Sequence, residues 1–217
     1  MSDLRRTGRL ALAVLVVFAA VAVVVGVLLT RSDHGGISAG PSRPPIPSPS
    51  PDLSALAIER APFCDRLDKG DVREALAAPV TGADSYRSGE RVLVAPGVAD
   101  IAHELDCTFH ALTGVEARVW VFAQPVTRST AVRTARDVRR ARGCRPLTGA
   151  PAYGTPSGST VCPAPTPYGQ QVTLRGLFGD AWLSCQLTTS GTEPRAEVVT
   201  RAERWCVQVA TTLGSRP

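Results

Sequence analysis

The chain has 217 residues and a formal net charge of +5, from 24 basic and 19 acidic side chains. Lys69 is its single lysine, and the other 23 basic residues are arginines. The sequence therefore contains neither a phosphate-binding loop nor an SxxK acylation site, because both motifs require a lysine. Lys69 is also the single residue that could form a lysine Schiff base. Its apolar residues are concentrated near the N-terminus, where 19 of the 21 residues from Leu10 to Thr30 are apolar.

Residues 10–30 are predicted to form a transmembrane helix. They contain no charged residue, and at about 1.5 Å per residue they cover about 31 Å, enough to cross a hydrocarbon core of about 30 Å. A cleaved signal peptide has a shorter apolar core, of about 7 to 15 residues, with a small-residue cleavage site close behind it. The nearest such site, residues 37–39, ends ten residues beyond Leu29. We therefore predict an uncleaved signal anchor, with cleavage as the alternative.

The charges beside this helix predict its orientation. Arg5, Arg6 and Arg9 precede the span, whereas Arg31 alone follows it closely. Because basic residues stay on the cytoplasmic side, residues 1–9 are predicted to be a cytoplasmic tail. The protein is accordingly predicted to be a single-pass protein of the cell membrane, bound to it through residues 10–30, with its C-terminal part extracytoplasmic.

Residues 31–52 are predicted to form an extended linker. Six of the eleven residues from Pro41 to Pro51 are proline, and such a run favours the polyproline conformation at about 3.1 Å per residue. A linker of this kind holds the following domain up to about 70 Å from the bilayer. We interpret it as a spacer that reaches into the cell envelope.

Residues 53–217 are predicted to form one extracytoplasmic domain, long enough to bury a core of its own. This domain contains all six cysteines of the chain, which are Cys64, Cys107, Cys144, Cys162, Cys185 and Cys206. Because it lies on the oxidising side of the membrane, three disulfides are expected. Spacing alone does not choose among the possible pairings, and our hypothesis joins neighbours in order: Cys64–Cys107, Cys144–Cys162 and Cys185–Cys206.

The coarse secondary structure predicts a mixed domain. Residues 57–66 and 71–78 have helical character, interrupted at Gly70, with Asp68 as an N-cap. Small apolar residues alternate with charged or aromatic ones over residues 115–123, which predicts a strand. A helix is predicted over residues 129–142, with Thr127 as a cap and Gly143 at its end.

The C-terminal third adds a loop, a hairpin and a helix. Residues 149–169 are rich in proline and glycine and are predicted to be mostly loop. Residues 171–178 and 181–189 flank Gly179-Asp180 and are predicted to form a β-hairpin. The final helix is predicted over residues 194–213, and its apolar stripe comprises Val198, Ala202, Trp205, Val209 and Leu213. The predicted fold class is α+β, with an antiparallel sheet packed by helices on one face.

The organisation of the chain resembles that of a known family. A single N-terminal span and a Pro/Ser stalk precede a cysteine ahead of a short helix, here Cys64 to Leu67 with Asp71 to Leu76, and a second cysteine followed by an aromatic residue, here Cys107 to Phe109. This pattern resembles an actinobacterial family of secreted or membrane-anchored proteins of unknown function, many of them lipoproteins. It is more distantly similar to the sensor domain of mycobacterial Ser/Thr kinases.

The resemblance implies an α+β fold, an envelope location and a binding or sensing role, with no catalytic residues to transfer. The chain departs from the family pattern at Phe109, where tryptophan is common. It also lacks a lipid-accepting cysteine and carries extra cysteines in its second half.

No spacing in the domain predicts catalytic or metal-binding residues. His103 and Glu104 begin a zinc-protease-like pattern, but the second histidine of that pattern falls at Cys107. His103, Asp106 and His110 form a metal site only if the fold brings them together, and the preferred interpretation is that they do not. We therefore predict no metal and no cofactor.

The charge feature that remains is a run of seven arginines between Arg128 and Arg145, opposed only by Asp137. Arg133, Arg136 and Arg140 share one face of the predicted helix and are a candidate anion-binding site, because a guanidinium binds phosphate or carboxylate in a bidentate manner. The alternative interpretation is a solvated arginine face. Nucleic acid is not an expected partner, because the domain is predicted to lie outside the cell.

Together these observations predict a membrane-anchored extracytoplasmic domain that binds an envelope ligand or a protein partner and performs no catalysis. One alternative is an envelope hydrolase or transferase that uses carboxylates unmarked by any motif. Another is a structural accessory subunit of a membrane complex.

Overall fold

The computed structural model describes residues 52–95 and 97–216. The predicted cytoplasmic tail, the predicted transmembrane helix and nearly all of the predicted linker lie outside these residues. Within the two described ranges, no helix is long and apolar enough to cross a membrane.

The described part of the chain is an α+β domain with three α-helices and eleven strands. The helices are α1 (Lys69–Leu76), α2 (Arg128–Arg139) and α3 (Arg195–Leu213). The first six strands are β1 (Ala57–Ile58), β2 (Val80–Tyr86), β3 (Arg91–Ala95), β4 (Val98–Ile101), β5 (Glu104–Ala111) and β6 (Glu116–Phe122). The last five are β7 (Arg145–Pro146), β8 (Thr160–Pro163), β9 (Gln170–Phe178), β10 (Ala181–Thr188) and β11 (Gly214–Ser215).

The main sheet has seven antiparallel strands in the order β2-β5-β6-β10-β9-β8-β7. Two small pairs, β1 with β11 and β3 with β4, lie beside it. In the centre, Ser184 of β10 pairs with Trp120 of β6 on one side and with Arg175 of β9 on the other. Asp106 of β5 pairs in turn with Trp120, so one row of side chains runs across four strands.

One face of this sheet is apolar and is covered by α1 and α3. Because successive residues of a strand point to opposite faces, Ala117, Val119 and Val121 of β6 share this face, and all three are buried. The five apolar residues predicted to form a stripe on the final helix, Val198, Ala202, Trp205, Val209 and Leu213, are all buried in the same core.

The prediction that helices pack on one face only is wrong, because α2 packs on the opposite face. Its buried residues Ala131 and Ala135 form a second small core with Leu177 and Trp182. Leu177 and Trp182 are cross-strand partners in β9 and β10, next to the strand residues whose side chains enter the main core. The sheet is therefore apolar on both faces at this end, and both faces need a helix to exclude water.

The predicted helix over residues 57–66 is also wrong. This segment contains β1, which pairs with β11, and a short 3-10 helix at Cys64–Arg66. Pro62 lies between them and interrupts any continuous helix. The following helix, expected over residues 71–78, is α1 at Lys69–Leu76, and the predicted cap is confirmed because Asp68 Oδ1 accepts hydrogen bonds from the backbone N–H groups of Gly70 and Asp71.

The three predicted disulfides are confirmed. Cys64 pairs with Cys107, Cys144 with Cys162, and Cys185 with Cys206. The first joins the 3-10 helix to β5, the second joins the segment after α2 to β8, and the third joins β10 to α3. Each disulfide therefore attaches a segment outside the sheet to a strand of the sheet.

Candidate functional site

The face of the sheet opposite α1 and α3 is largely polar, and we call it the polar face. It carries Glu104 and Asp106 of β5, Arg118 and Trp120 of β6, Arg175 of β9, and Ser184 of β10. These residues share a face because each alternates along its strand with a residue that enters the apolar core. The end of this face beside Trp182 is covered by α2.

Asp106 is the centre of a hydrogen-bonded network on the polar face. Its side chain is only 3% exposed and forms an ion pair with Nε of Arg118, while Thr108 Oγ1 donates to Asp106 Oδ1 at 2.9 Å. Arg118 Nη2 donates to the hydroxyl of Tyr86 at 2.8 Å, and that hydroxyl donates to Oε1 of Glu104 at 2.8 Å. Asp106 and Glu104 therefore both accept hydrogen bonds from side chains of the same domain.

The titration of these groups follows from their burial. Burial raises the pKa of Asp106 above its ordinary value, and the opposing effect of the Arg118 charge is smaller. Burial and the neighbouring Asp106 charge raise the pKa of Tyr86 as well. Tyr86 therefore keeps its proton at neutral pH and remains the donor that links Arg118 to Glu104.

Arg175 lies on the other side of Trp120 and has a different environment. Its Cζ atom is 5.8 Å from the centre of the Trp120 ring, and Cζ of Arg118 is 4.9 Å from the same centre. Burial lowers the pKa of Arg175 to about 10. Among the residues that the structure describes, no carboxylate forms an ion pair with Arg175. Arg175 is thus a half-buried cation for which the described residues supply no counter-ion.

Ser184 lies in the row between Trp120 and Arg175 and is buried. Its side-chain Oγ is shielded from solvent and has no hydrogen-bond partner within the described ranges. A buried hydroxyl without a partner costs free energy of about 1 to 3 kcal/mol. This serine therefore marks a place where the domain does not satisfy its own polar groups.

The arginines proposed from the sequence lie elsewhere. Arg133 and Arg136 are exposed on α2, whose buried residues Ala131 and Ala135 face the sheet, and Arg140 is exposed directly after its end. Over the described part of the chain, none of the three forms an ion pair, and Arg133 donates only to Thr130 Oγ1 at 3.2 Å. Their exposed position is compatible with both interpretations, an anion-binding site and a solvated arginine face.

The histidines named by the sequence are not brought together. Nε2 of His110 lies 2.9 Å from Oδ2 of Asp84, and its Nδ1 lies 3.7 Å from Oε2 of Glu116. His103 forms neither contact and lies beyond the other end of β5. Within residues 52–95 and 97–216, no three His, Cys, Asp or Glu side chains are grouped so as to hold a metal ion.

A groove of about 870 Å³ lies between α1 and the edge strand β2, on the apolar side of the sheet. Its walls are mainly apolar, including Leu67, Val72, Val80 and Phe109, with Lys69 at its rim. Charged residues of both signs, Asp65, Lys69, Arg73 and Asp84, also line the groove, and nothing in the described residues indicates an occupant.

No protein-family model matches this chain, and no curated protein matches it significantly. The site therefore has to be assessed from its own chemistry. The periodicity and spacing of the sequence did not identify Arg118, Trp120, Arg175 and Ser184 as site residues. The alternation over residues 115–123 placed Arg118 and Trp120 on one face of a strand, but only the pairing of β6, β10 and β9 shows that Ser184 and Arg175 lie beside them.

Proposed function

We propose that residues 53–217 form an extracytoplasmic binding or sensing domain of the cell envelope, held at the membrane by the predicted helix at residues 10–30. In this proposal the domain binds an envelope ligand or a protein partner through its polar face and performs no catalysis. The proposal depends on one observation: Arg175 is a half-buried cation, and no carboxylate of the described residues forms an ion pair with it.

The carboxylates of the polar face support binding rather than catalysis. Hydrolysis of a glycosidic bond requires two carboxyl groups that face each other across the substrate, one of them free to donate a proton. Glu104 and Asp106 lie side by side on one strand instead. Asp106 is buried in an ion pair with Arg118, and Glu104 accepts from Tyr86. Neither group presents a free oxygen pair to a reacting bond.

The experiment that tests this proposal compares retention of envelope material with its chemical turnover. The full chain in detergent is incubated with fractionated envelope polymers, and both bound material and released products are measured by mass spectrometry. We expect retained ligand and no released product from the wild-type protein. Arg175→Met should lose retention, whereas Glu104→Gln should keep it.

Arg91→Met is the matched control, because Arg91 is an exposed arginine on β3 and its replacement changes the net charge equally. It should retain ligand as the wild type does. Product release that depends on Glu104 would contradict the proposal and favour the hydrolase alternative. A single stoichiometric protein recovered by crosslinking in the native membrane, without any retained polymer, would favour an accessory subunit.

The proposed location is tested separately. Intact spheroplasts that express the full chain are treated with an external protease, and membranes are washed with alkaline carbonate. We expect residues 53–217 to be digested from outside and the N-terminal part to stay with the membrane after the wash. Release of the intact chain by the wash would contradict the anchor at residues 10–30.

A further inference from the structure

We infer that Arg175 binds an oxyanion of the ligand, a carboxylate or a phosphate group, in a site bordered by Trp120 and Ser184. This inference rests on the proposed function, because it names the chemical group that the polar face recognises. It is argued from the position of the Arg175 guanidinium, from the pairing of the other buried arginines, and from the isolated hydroxyl of Ser184.

The sheet register places the guanidinium of Arg175 above β10. Trp120 and Arg175 lie on strands that flank β10, and both are cross-strand partners of Ser184. Neighbouring strands are about 4.8 Å apart, so the two backbones are about 10 Å apart. Because Cζ of Arg175 is 5.8 Å from the centre of the Trp120 ring, the two side chains approach each other over β10, the strand that separates them. The guanidinium of Arg175 and the ring of Trp120 therefore lie close together near Ser184, the residue of β10 between them.

The other partly buried arginines of the domain are all paired with carboxylates of the same domain. The side chains of Arg60, Arg118 and Arg201 are each less than one-third exposed, and each forms an ion pair with a carboxylate. Arg175 is half-buried like them but has no such partner among the described residues. A desolvated cation is costly unless an anion neutralises it, and here the anion has to come from outside the domain.

Trp120 and Arg118 restrict how that anion is held. Arg118 already donates to Asp106 and Tyr86, and Asp106 neutralises its charge, so Arg118 does not compete with Arg175 for the anion. The indole of Trp120 is an apolar wall beside the guanidinium, and it lowers the local dielectric. A planar guanidinium in such a setting prefers two parallel hydrogen bonds to one oxyanion.

Buried polar residues close to Ser184 on the same face do form hydrogen bonds with one another. Thr173 Oγ1 donates to Oε1 of Gln186 at 3.3 Å, and Nε2 of Gln186 donates to Oγ1 of Thr188 at 3.2 Å. These buried polar groups satisfy one another within the sheet. Among the described residues in this part of the polar face, only Ser184 has a shielded hydroxyl without a hydrogen-bond partner, and it is the cross-strand neighbour of Arg175.

The test measures thermal unfolding of the full chain in detergent, with anions added at constant ionic strength. Glycerol phosphate and glucuronate are the two probes, which separate a phosphate ligand from a carboxylate ligand, and sodium chloride is the reference salt. A ligand that binds only the folded state raises the melting temperature. We expect at least one probe to raise it for the wild type and for the control Arg91→Met.

Arg175→Met should bind the effective probe at least tenfold more weakly, and its melting temperature without anion should equal or exceed that of the wild type. A structural arginine would behave in the opposite way, because its replacement lowers the melting temperature whether or not anions are present. No rise with either probe, or an equal rise in Arg175→Met, would overturn the inference.

Tryptophan fluorescence gives a second readout that does not depend on unfolding. Trp182 and Trp205 are buried, whereas Trp120 is partly exposed beside Arg175. The effective probe should change the emission of the wild type and leave that of Trp120→Phe unchanged. If a probe binds but no envelope material is retained, the oxyanion site stands and the proposed function fails. If envelope material is retained but neither probe has an effect, the proposed function stands and the oxyanion site at Arg175 is wrong.

Discussion

At the level of single residues, the polar face holds two arginines that meet the cost of burial differently. Arg118 is neutralised by Asp106 and shares its remaining donors with Tyr86. Arg175 forms no ion pair with the described residues, and we propose that a ligand supplies its counter-ion. The contrast is useful experimentally, because replacing the two residues should change stability in opposite directions.

Arg118→Met should lower the free energy of unfolding by about 3 kcal/mol at pH 7, because it leaves the Asp106 carboxylate buried without a counter-ion. The loss should shrink as the pH falls from 7 toward 3.8, the ordinary pKa of the group. Burial raises the pKa of Asp106 in the folded state, so the folded protein binds this proton first and gains stability as the pH decreases. Urea unfolding at a series of pH values measures the effect.

Two controls accompany this variant. Arg118→Met combined with Asp106→Leu removes both charges and should recover at least half of the lost free energy. Arg204→Met breaks an exposed ion pair with Glu74 and should cost less than about 1 kcal/mol. A cost for Arg118→Met that is independent of pH would show that the ion pair with Asp106 is not its source.

At the level of secondary-structure elements, the caps explain where the helices begin. Asp68 accepts hydrogen bonds from two backbone N–H groups at the start of α1. Thr127 Oγ1 accepts a hydrogen bond from the backbone N–H of Thr130 at the start of α2. Such short-range signals lie within four residues of sequence, and for this reason both caps were predictable. The edge strand β2 has no comparable signal, because most of its residues are exposed and show no alternation of burial.

Asp68→Ala should destabilise the domain by about 1 kcal/mol, because two N–H groups in the first turn of α1 lose their acceptor. Asp68→Asn should stay within a few tenths of a kcal/mol of the wild type, since asparagine is an equally good cap. Urea unfolding monitored by circular dichroism compares the two variants. An equal cost for both would mean that the charge of Asp68, rather than its capping oxygen, stabilises α1.

At the level of the whole molecule, the three disulfides hold the outer segments against the sheet. They are not equally protected. Cys185 and Cys206 are fully buried in the main core, and Cys107 is buried as well, whereas Cys144 and Cys162 are both partly exposed. A reductant therefore has easiest access to the disulfide that joins the segment after α2 to β8.

Mild treatment with dithiothreitol should reduce Cys144–Cys162 first, with the far-ultraviolet circular dichroism unchanged at that stage. Cys144→Ser combined with Cys162→Ser should lower the free energy of unfolding by about 3 kcal/mol, because the cross-link closes a loop of 18 residues in the unfolded chain. Differential alkylation and peptide mass spectrometry measure the order of reduction. Earlier alkylation of Cys185 and Cys206 would contradict it.

The sequence by itself determined the features that depend on local or one-dimensional patterns. The N-terminal caps of α1 and α2, the stripe of α3 and the hairpin of β9 and β10 were predicted correctly, although α2 ends at Arg139 rather than at Arg142. The sequential pairing of the cysteines was one hypothesis among the possible pairings, and the structure confirms it. The caps, the stripe and the hairpin follow from residue periodicity and from turn chemistry. The oxidising location inferred from the predicted anchor was sufficient to expect disulfides.

Only the tertiary structure decided which strands are neighbours, and with that the composition of the polar face. Trp120 and Ser184 are far apart in sequence, and their pairing depends on β10 inserting between β6 and β9. The same arrangement placed apolar residues on both faces at one end of the sheet, which positioned α2 opposite the other helices. Long-range pairing of this kind depends on the packing of the whole sheet rather than on local pattern, and for this reason Arg175 became visible as a site only in three dimensions.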